Sequence, residues 1–208
     1  MASQAAPGRP SGRLPDYVRN QLLEAAADLF SVNDFKAVTI KRIAEQARVN
    51  PAMIHYYFGD KQGLYEALVD SVLGPLFDQM AAVEQDQGLE QFIRAYTQVL
   101  ADNPWWPNFV LREMLFGKGP MRETLLNKFG HGMIGSLMQQ ITRQTTIGEL
   151  RGDLSPPMML VSLAGMIVFP FLARNMLRDL LPETQDQMDA AKLAAHTTEV
   201  FFNGVRSS

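Results

Sequence analysis

The sequence predicts an all-α protein of about nine helices: a three-helix unit near the N-terminus, then a larger helical bundle. Two patterns carry that expectation. Apolar residues recur every three or four positions along most of the 208 residues, and no stretch alternates apolar with polar as a half-buried strand would. Helix start and stop signals punctuate the pattern at Asn50-Pro51, Gly74-Pro75, Asn103-Pro104, Gly148 and Gly152. On this reading residues 1–15 form a disordered arm, 16–61 a first domain and 62–208 a second.

The arm, MASQAAPGRPSGRLP, is rich in proline, glycine and small residues and lacks the apolar run of a secretion signal. Residues 16–32 then read as an amphipathic helix with Val18, Leu22, Leu23, Ala26, Leu29 and Phe30 on its inner face. A turn at Asn33-Asp34 lets Phe35 re-enter the core. Residues 39–61 follow as TIKRIAEQARVNPAMIHYYFGDK. Thr39 is the N-cap of a short helix whose Ile43, Ala44 and Ala47 share one side. After a turn through Arg48 and Val49, Asn50 caps a second short helix and Pro51 opens it, since proline lacks only an N–H that has no partner there. Ile54 and Phe58 point inward from that helix, and Gly59 ends it.

A pair this short and tight is either an ordinary helical hairpin of an α-helical domain or a helix-turn-helix, the device that lays its second helix in a DNA major groove. The outward residues suit that task. Lys41, Pro51, Ala52, His55 and Tyr57 are the candidates for base edges. Thr39, Tyr56 and Lys61 are those for phosphates, with Arg42 and Arg48 beside them and Asn50 opening the reading segment. Arg9 and Arg13 of the arm either stay in solvent or reach an adjacent minor groove.

Helical periodicity continues beyond residue 61. A helix runs through Leu64, Leu68 and Val72, is kinked or interrupted at Gly74-Pro75, and continues to about residue 83. Residues 88–101 are amphipathic, with Leu89, Phe92, Ile93, Tyr96, Val99 and Leu100 inward. Asn103-Pro104 restarts a helix carrying Trp105, Phe109, Arg112 and Phe116 on one side. A long helix is expected over 121–146, a loop over 147–157, and a final helix over 184–203 with Gly204 as its C-cap. Residues 156–173 hold no charge, but their prolines and Gly165 fit the centre of a bundle better than a bilayer span. No membrane partner is expected.

The run from Leu22 to Leu68 carries LLEAAADLF, a single Thr39 before IKRIAEQA, and HYYFGDKQGLYEAL. It resembles the N-terminal DNA-binding domain of TetR-family transcriptional repressors. The resemblance implies a homodimer on a palindromic double-stranded DNA operator, held together by the last two long helices of each copy. Half-sites would lie about one helical turn apart (roughly 34–36 Å) or further. Lys41, the 50–57 segment and Lys61 match positions that touch DNA in the family. A ligand in the second domain would shift the helix starting at Lys61, with Gly74-Pro75 as hinge. Three residues depart from the family pattern: Asp34 and Arg48 replace turn glycines, and His55 replaces an aromatic. A left-handed Arg48 would cost roughly 1 kcal/mol more than glycine.

Composition narrows the alternatives. The net charge of −3 divides into eight Lys/Arg against six Asp/Glu in 1–61 and eleven against sixteen in 62–208. That asymmetry fits a nucleic-acid reader joined to a domain with another task. There is no cysteine, and His55, His131 and His196 lie far apart, so neither a metal site nor a cofactor is expected, and no enzyme. Phe92, Tyr96, Trp105, Trp106, Phe109, Arg112, Met114, Phe116, Met133, Met138 and Phe169 are the candidates for a cavity holding a small apolar or amphipathic effector. A cytoplasmic, ligand-responsive repressor is the main expectation. Two others stay open: a DNA-bound regulator answering to a protein partner, and an apolar-ligand carrier with a vestigial helix-turn-helix.

Overall fold

The computed structural model describes residues 13–81, 88–183 and 188–206. Among these residues it contains eleven α-helices, a 3-10 turn and a π-helical stretch, and no strand beyond an isolated bridge between Leu150 and Arg206. Arg9, the expected helix end near 83 and the expected helix start at 184 lie outside the described residues. The chain divides into two compact units, with the boundary after Leu68.

The first unit is built on α1 (Arg13–Val32), the 3-10 turn Phe35–Ala37, α2 (Ile40–Ala47), α3 (Ala52–Phe58) and the start of α4 (Lys61–Ala81). α1 buries Leu22, Leu23, Ala26, Leu29 and Phe30 against α2 and α3. Phe30 and Phe35 stack at 5.7 Å, and the ring of Tyr65 stands edge-on to both. Gln46 on α2 donates to Asp28 on α1 at 3.0 Å. This small core holds the helix pair rigid.

Both short helices have chemical stops. Thr39 Oγ1 accepts from the Arg42 N–H at 3.1 Å, which caps α2. At the other end Arg48 is left-handed, with φ 56° and ψ 39°. Its N–H reaches Glu45 O and that of Val49 reaches Ala44 O, the paired bonds that close a Schellman turn. Asn50 Oδ1 accepts from the Ala52 N–H at 2.8 Å and opens α3, and Ile54 is the fully buried plug of that helix. Gly59, at φ 79°, ends α3 in a conformation a side chain would strain. Gly63 then lets α4 start so close to α3 that a methyl group there would strike the Phe58 carbonyl.

α4 is one continuous helix through Gly74 and Pro75. The missing proline N–H removes one bond, and the helix tolerates it.

The second unit contains the rest of α4, then α5 (Gly88–Asp102), α6 (Trp106–Phe116), α7 (Pro120–Leu126), α8 (Gly135–Thr146), α9 (Pro156–Leu172), α10 (Arg174–Leu180) and α11 (Ala190–Val205). α5 packs on α9 and α11 and buries its apolar stripe, Leu89 to Leu100, as its periodicity required. The helix expected over 121–146 is in fact α7 and α8 joined by the wide π-helical stretch Asn127–Ile134. α9 is not buried all round. Leu163 and Ile167 are inside, whereas Met158, Val161 and Phe169 are exposed. α10 leaves α9 at 70°, and no single described helix is long and apolar enough to cross a membrane. The last helix begins at Ala190, where Asp189 caps it through the Ala191 and Lys192 N–H groups. It runs through Gly204 to Val205. The loop before α9 is pinned to its end, Arg151 N–H donating to Val205 O at 2.8 Å.

Candidate nucleic-acid interface and ligand cavity

α3 turns one stripe to solvent. Pro51, Ala52, His55 and Tyr56 are all exposed, while Ile54 opposite them is fully buried. Tyr56 is 76% exposed despite its size, and its ring stands edge-on against Tyr57 at 4.9 Å. Tyr57 is half-buried and leans on Phe58, so it stiffens the stripe from the side. Arg19 of α1 covers the other side of Phe58 at 5.5 Å. An exposed tyrosine beside an exposed histidine on a rigid helix offers ring faces and polar tips to a groove.

Around that stripe lies a rim of cations and donors. Thr39, Lys41, Arg42 and Arg48 are exposed, and so is Asn50, whose amide oxygen is occupied in capping. Lys41 meets Glu45 at 3.8 Å, a pair open to water and weak for that reason. Arg42 and Arg48 stand open to solvent at either end of α2. Thr39 uses its oxygen lone pair for the cap and keeps its O–H to give.

Lys61, expected at a phosphate, has partners within the chain. Its Nζ donates to the carbonyls of Phe35 and Val38, each at 2.9 Å, and sits over the Phe35 ring. Partial burial lowers its pKa from the ordinary lysine value. The side chain is long enough to reach back to two carbonyls left open by the 3-10 turn, and that geometry was not readable from spacing.

The second unit contains a cavity of about 430 Å³. Of the candidates, Phe92 and Tyr96 of α5, Met114 of α6, Met133 of the π-helical stretch and Met138 of α8 line it. The other candidates do not. Trp106 and Phe109 are fully buried in an aromatic stack with Trp105, where large rings do more as filler than as wall. Phe116 and Phe169 are exposed at 76% and 55%. Arg112 lies 3.8 Å from Glu113 and is no part of the wall. Reasoning from aromatics missed the wall that α9 supplies, including Leu160, Leu163, Ala164 and Ile167. Its charge-free run was the available signal.

Among the described lining residues, Tyr96 alone carries a side-chain oxygen or nitrogen. Burial pushes its phenol pKa up, and the neighbouring Trp106 side chain opposes that rise. No group of three or more His, Cys, Asp or Glu able to hold a metal ion occurs among the described residues.

Two family models match this chain. Residues 22–68 match the model for bacterial regulatory proteins of the tetR family. Residues 85–205, over half the chain, match the C-terminal domain of the HTH-type transcriptional dual regulator CecR. The chain belongs to the TetR family of transcriptional regulators. Like other TetR-family members it is a DNA-binding regulator. It is 26% identical over 189 residues to the transcriptional regulator RutR of Escherichia coli O157:H7, covering 89% of this chain and 83% of RutR. To the transcriptional repressor NicS of Pseudomonas putida it is 23% identical over 199 residues, or 92% and 93% of the two chains. Its fold is similar to that of FadR from Bacillus subtilis, solved with stearoyl-CoA: TM-score 0.67 at 19% identity, covering 89% of this TetR-family chain and 98% of FadR.

Proposed function

We propose that this TetR-family chain is a homodimeric, ligand-responsive repressor that seats α3 of each copy in the major groove of a two-fold symmetric operator. One observation carries the reading: the stripe of Pro51, Ala52, His55 and Tyr56 is exposed on a helix that is capped at both ends and plugged by Ile54. Within it, Ala52 and Pro51 suit thymine methyls and Lys41 suits guanine, while Thr39, Tyr56, Arg42 and Arg48 suit phosphates. The unit ending at Leu68, rather than at residue 61, thus serves as the DNA-reading domain, and the unit from Val69 as the effector and dimer domain. A bound dimer occupies the duplex and keeps polymerase from it, in the cytoplasm where the chromosome lies.

Dimerisation is supported by α9 and α11. Met158, Val161 and Phe169 on the first and Val200 on the second leave an apolar face in water, with Ala195 and Gly204 small enough for close approach. A copy of the same face is the natural cover.

The effector is a small, largely apolar molecule. A bundle without a cavity would have favoured control by a protein partner, and 430 Å³ favours a small molecule instead. No charged side chain is among the described lining residues, so a charged effector group would have to remain outside this wall. An acyl chain like that of the ligand solved with FadR suits such a wall, with Tyr96 to meet one neutral acceptor. The π-helical stretch supports a route outward. Its Met133 and Ile134 line the cavity, its Lys128 pairs with Asp70 of α4, and its Gly132 lies against Phe77 of α4. An effector that fits one setting of this stretch better than another shifts α4, with Gly74-Pro75 as its weak point, and so biases the reading heads.

Selection of bound sequences from random DNA tests the reading. An inverted repeat is expected, and compounds that raise the thermal stability of the protein should release it. Salt-sensitive binding with no enriched sequence would overturn it.

A further inference from the structure

His55 is exposed in the middle of the α3 stripe, yet its ring is not free to choose its hydrogen. Its Nδ1 lies 2.7 Å from the Gly59 carbonyl oxygen, one turn on at the end of the same helix. That oxygen is among the carbonyls a helix leaves open at its C-terminus. A carbonyl only accepts, so Nδ1 carries the hydrogen and donates it. In the neutral ring the other nitrogen, Nε2, then has a bare lone pair and no hydrogen to give. The same bond holds the ring plane, because Gly59 is itself fixed by the turn into α4.

The major groove sorts bases by donors and acceptors. Cytosine N4 and adenine N6 bear N–H donors, whereas guanine N7 and O6 and thymine O4 only accept. An imidazole locked in this tautomer can therefore bond an exocyclic amine and is mismatched to the purine N7 and the two carbonyl oxygens. We propose that His55 reads a base-edge amino group, N4 of cytosine or N6 of adenine, through Nε2 as acceptor, and thereby fixes one base in each half-site. This rests on the reading above that α3 enters the major groove.

The test begins with the operator that the full-length protein selects from random DNA. In one half-site at a time, each cytosine is replaced by 2-pyrimidinone and each adenine by purine, which deletes the amine. In a parallel series each purine is replaced by its 7-deaza form, which deletes N7. Binding is measured by fluorescence anisotropy at constant salt for wild type, His55→Ala and His55→Phe. The second variant keeps a ring and guards against loss of helix order in the first. One amine deletion should weaken the wild type about tenfold, in the range of a single specific base contact, and affect neither variant by more than about twofold. Comparing variants on the same duplex removes the contribution of the lost base-pair bond. Amine deletions that act equally on all three proteins at every position, or a His55 dependence that follows N7, would overturn the assignment. Failure to select any operator would instead overturn the DNA reading beneath it.

Discussion

The ammonium of Lys61 sits 4.0 Å from the centre of the Phe35 ring and donates to the carbonyls of Phe35 and Val38. It ties the turn preceding Thr39 to the first turn of α4, so it sets where α2 begins. Replacing it with methionine keeps the stem over the ring and removes both hydrogen bonds. Lys61→Met should lower stability by about 1–2 kcal/mol, and DNA affinity with it. The slope of log affinity against log salt should stay unchanged if the ammonium serves these two carbonyls and no phosphate. A slope reduced by about one, read from anisotropy titrations, would restore the lysine to the phosphates.

Arg48 is the one non-glycine residue with positive φ among those described. Arg48→Gly should therefore stabilise the protein by about 1 kcal/mol, visible as a rise in Tm. The same change should flatten the salt slope by about one unit if the guanidinium meets a phosphate. Stability and affinity move in opposite directions, which no purely structural role would produce.

Thr39 is exposed and its hydroxyl oxygen caps α2, which leaves the O–H able to donate elsewhere. Thr39→Ala should cost about 1 kcal/mol of stability, and Thr39→Ser should recover most of it. Denaturant unfolding of the three proteins measures this directly.

In the cavity, Tyr96→Phe removes the one side-chain oxygen or nitrogen among the described lining residues. Effectors bearing a neutral acceptor should lose about 0.5–1.5 kcal/mol of binding, and purely hydrocarbon ligands almost none. Calorimetric titration of matched pairs distinguishes the two. Equal losses for both would mean that the phenol acts by shape.

The exposed face of α9 carries the dimer proposal. Phe169→Glu together with Val161→Glu places charges on residues that are 55% and 62% exposed, so the single chain should fold normally. Sedimentation should then report monomers with weakened operator binding. A dimer that survives both charges must use another face.

The first unit was legible because its signals are local. Thr39, Asn50 and Gly59 act on neighbours within three or four residues, and Ile43, Ala44 and Ile54 face inward at helical spacing, so their places follow from period and cap chemistry. The carbonyl partners of Lys61 lie 23 and 26 residues away, so local spacing gave no sign of them. The cavity was half legible for a related reason. Met133 and Met138 were found by residue type, but whether a ring such as Trp106 fills a core or walls a void depends on how helices pack. Phe116 and Phe169 showed nothing in their spacing to mark them as outward. The division of the expected 121–146 helix by a π-helical stretch was likewise silent, since a widening confined to eight residues scarcely disturbs an apolar period.

One comparison bears most directly on the claim that α3 reads bases. A variant with Ala52→Glu, His55→Ala and Tyr56→Ala alters the exposed stripe and leaves Ile54, the caps and the rim cations Lys41, Arg42 and Arg48 in place. Both proteins would be carried through selection from random DNA at matched salt. The wild type should enrich an inverted repeat, while the variant should keep weak salt-dependent binding and enrich nothing. If both enrich the same repeat, another surface reads the DNA.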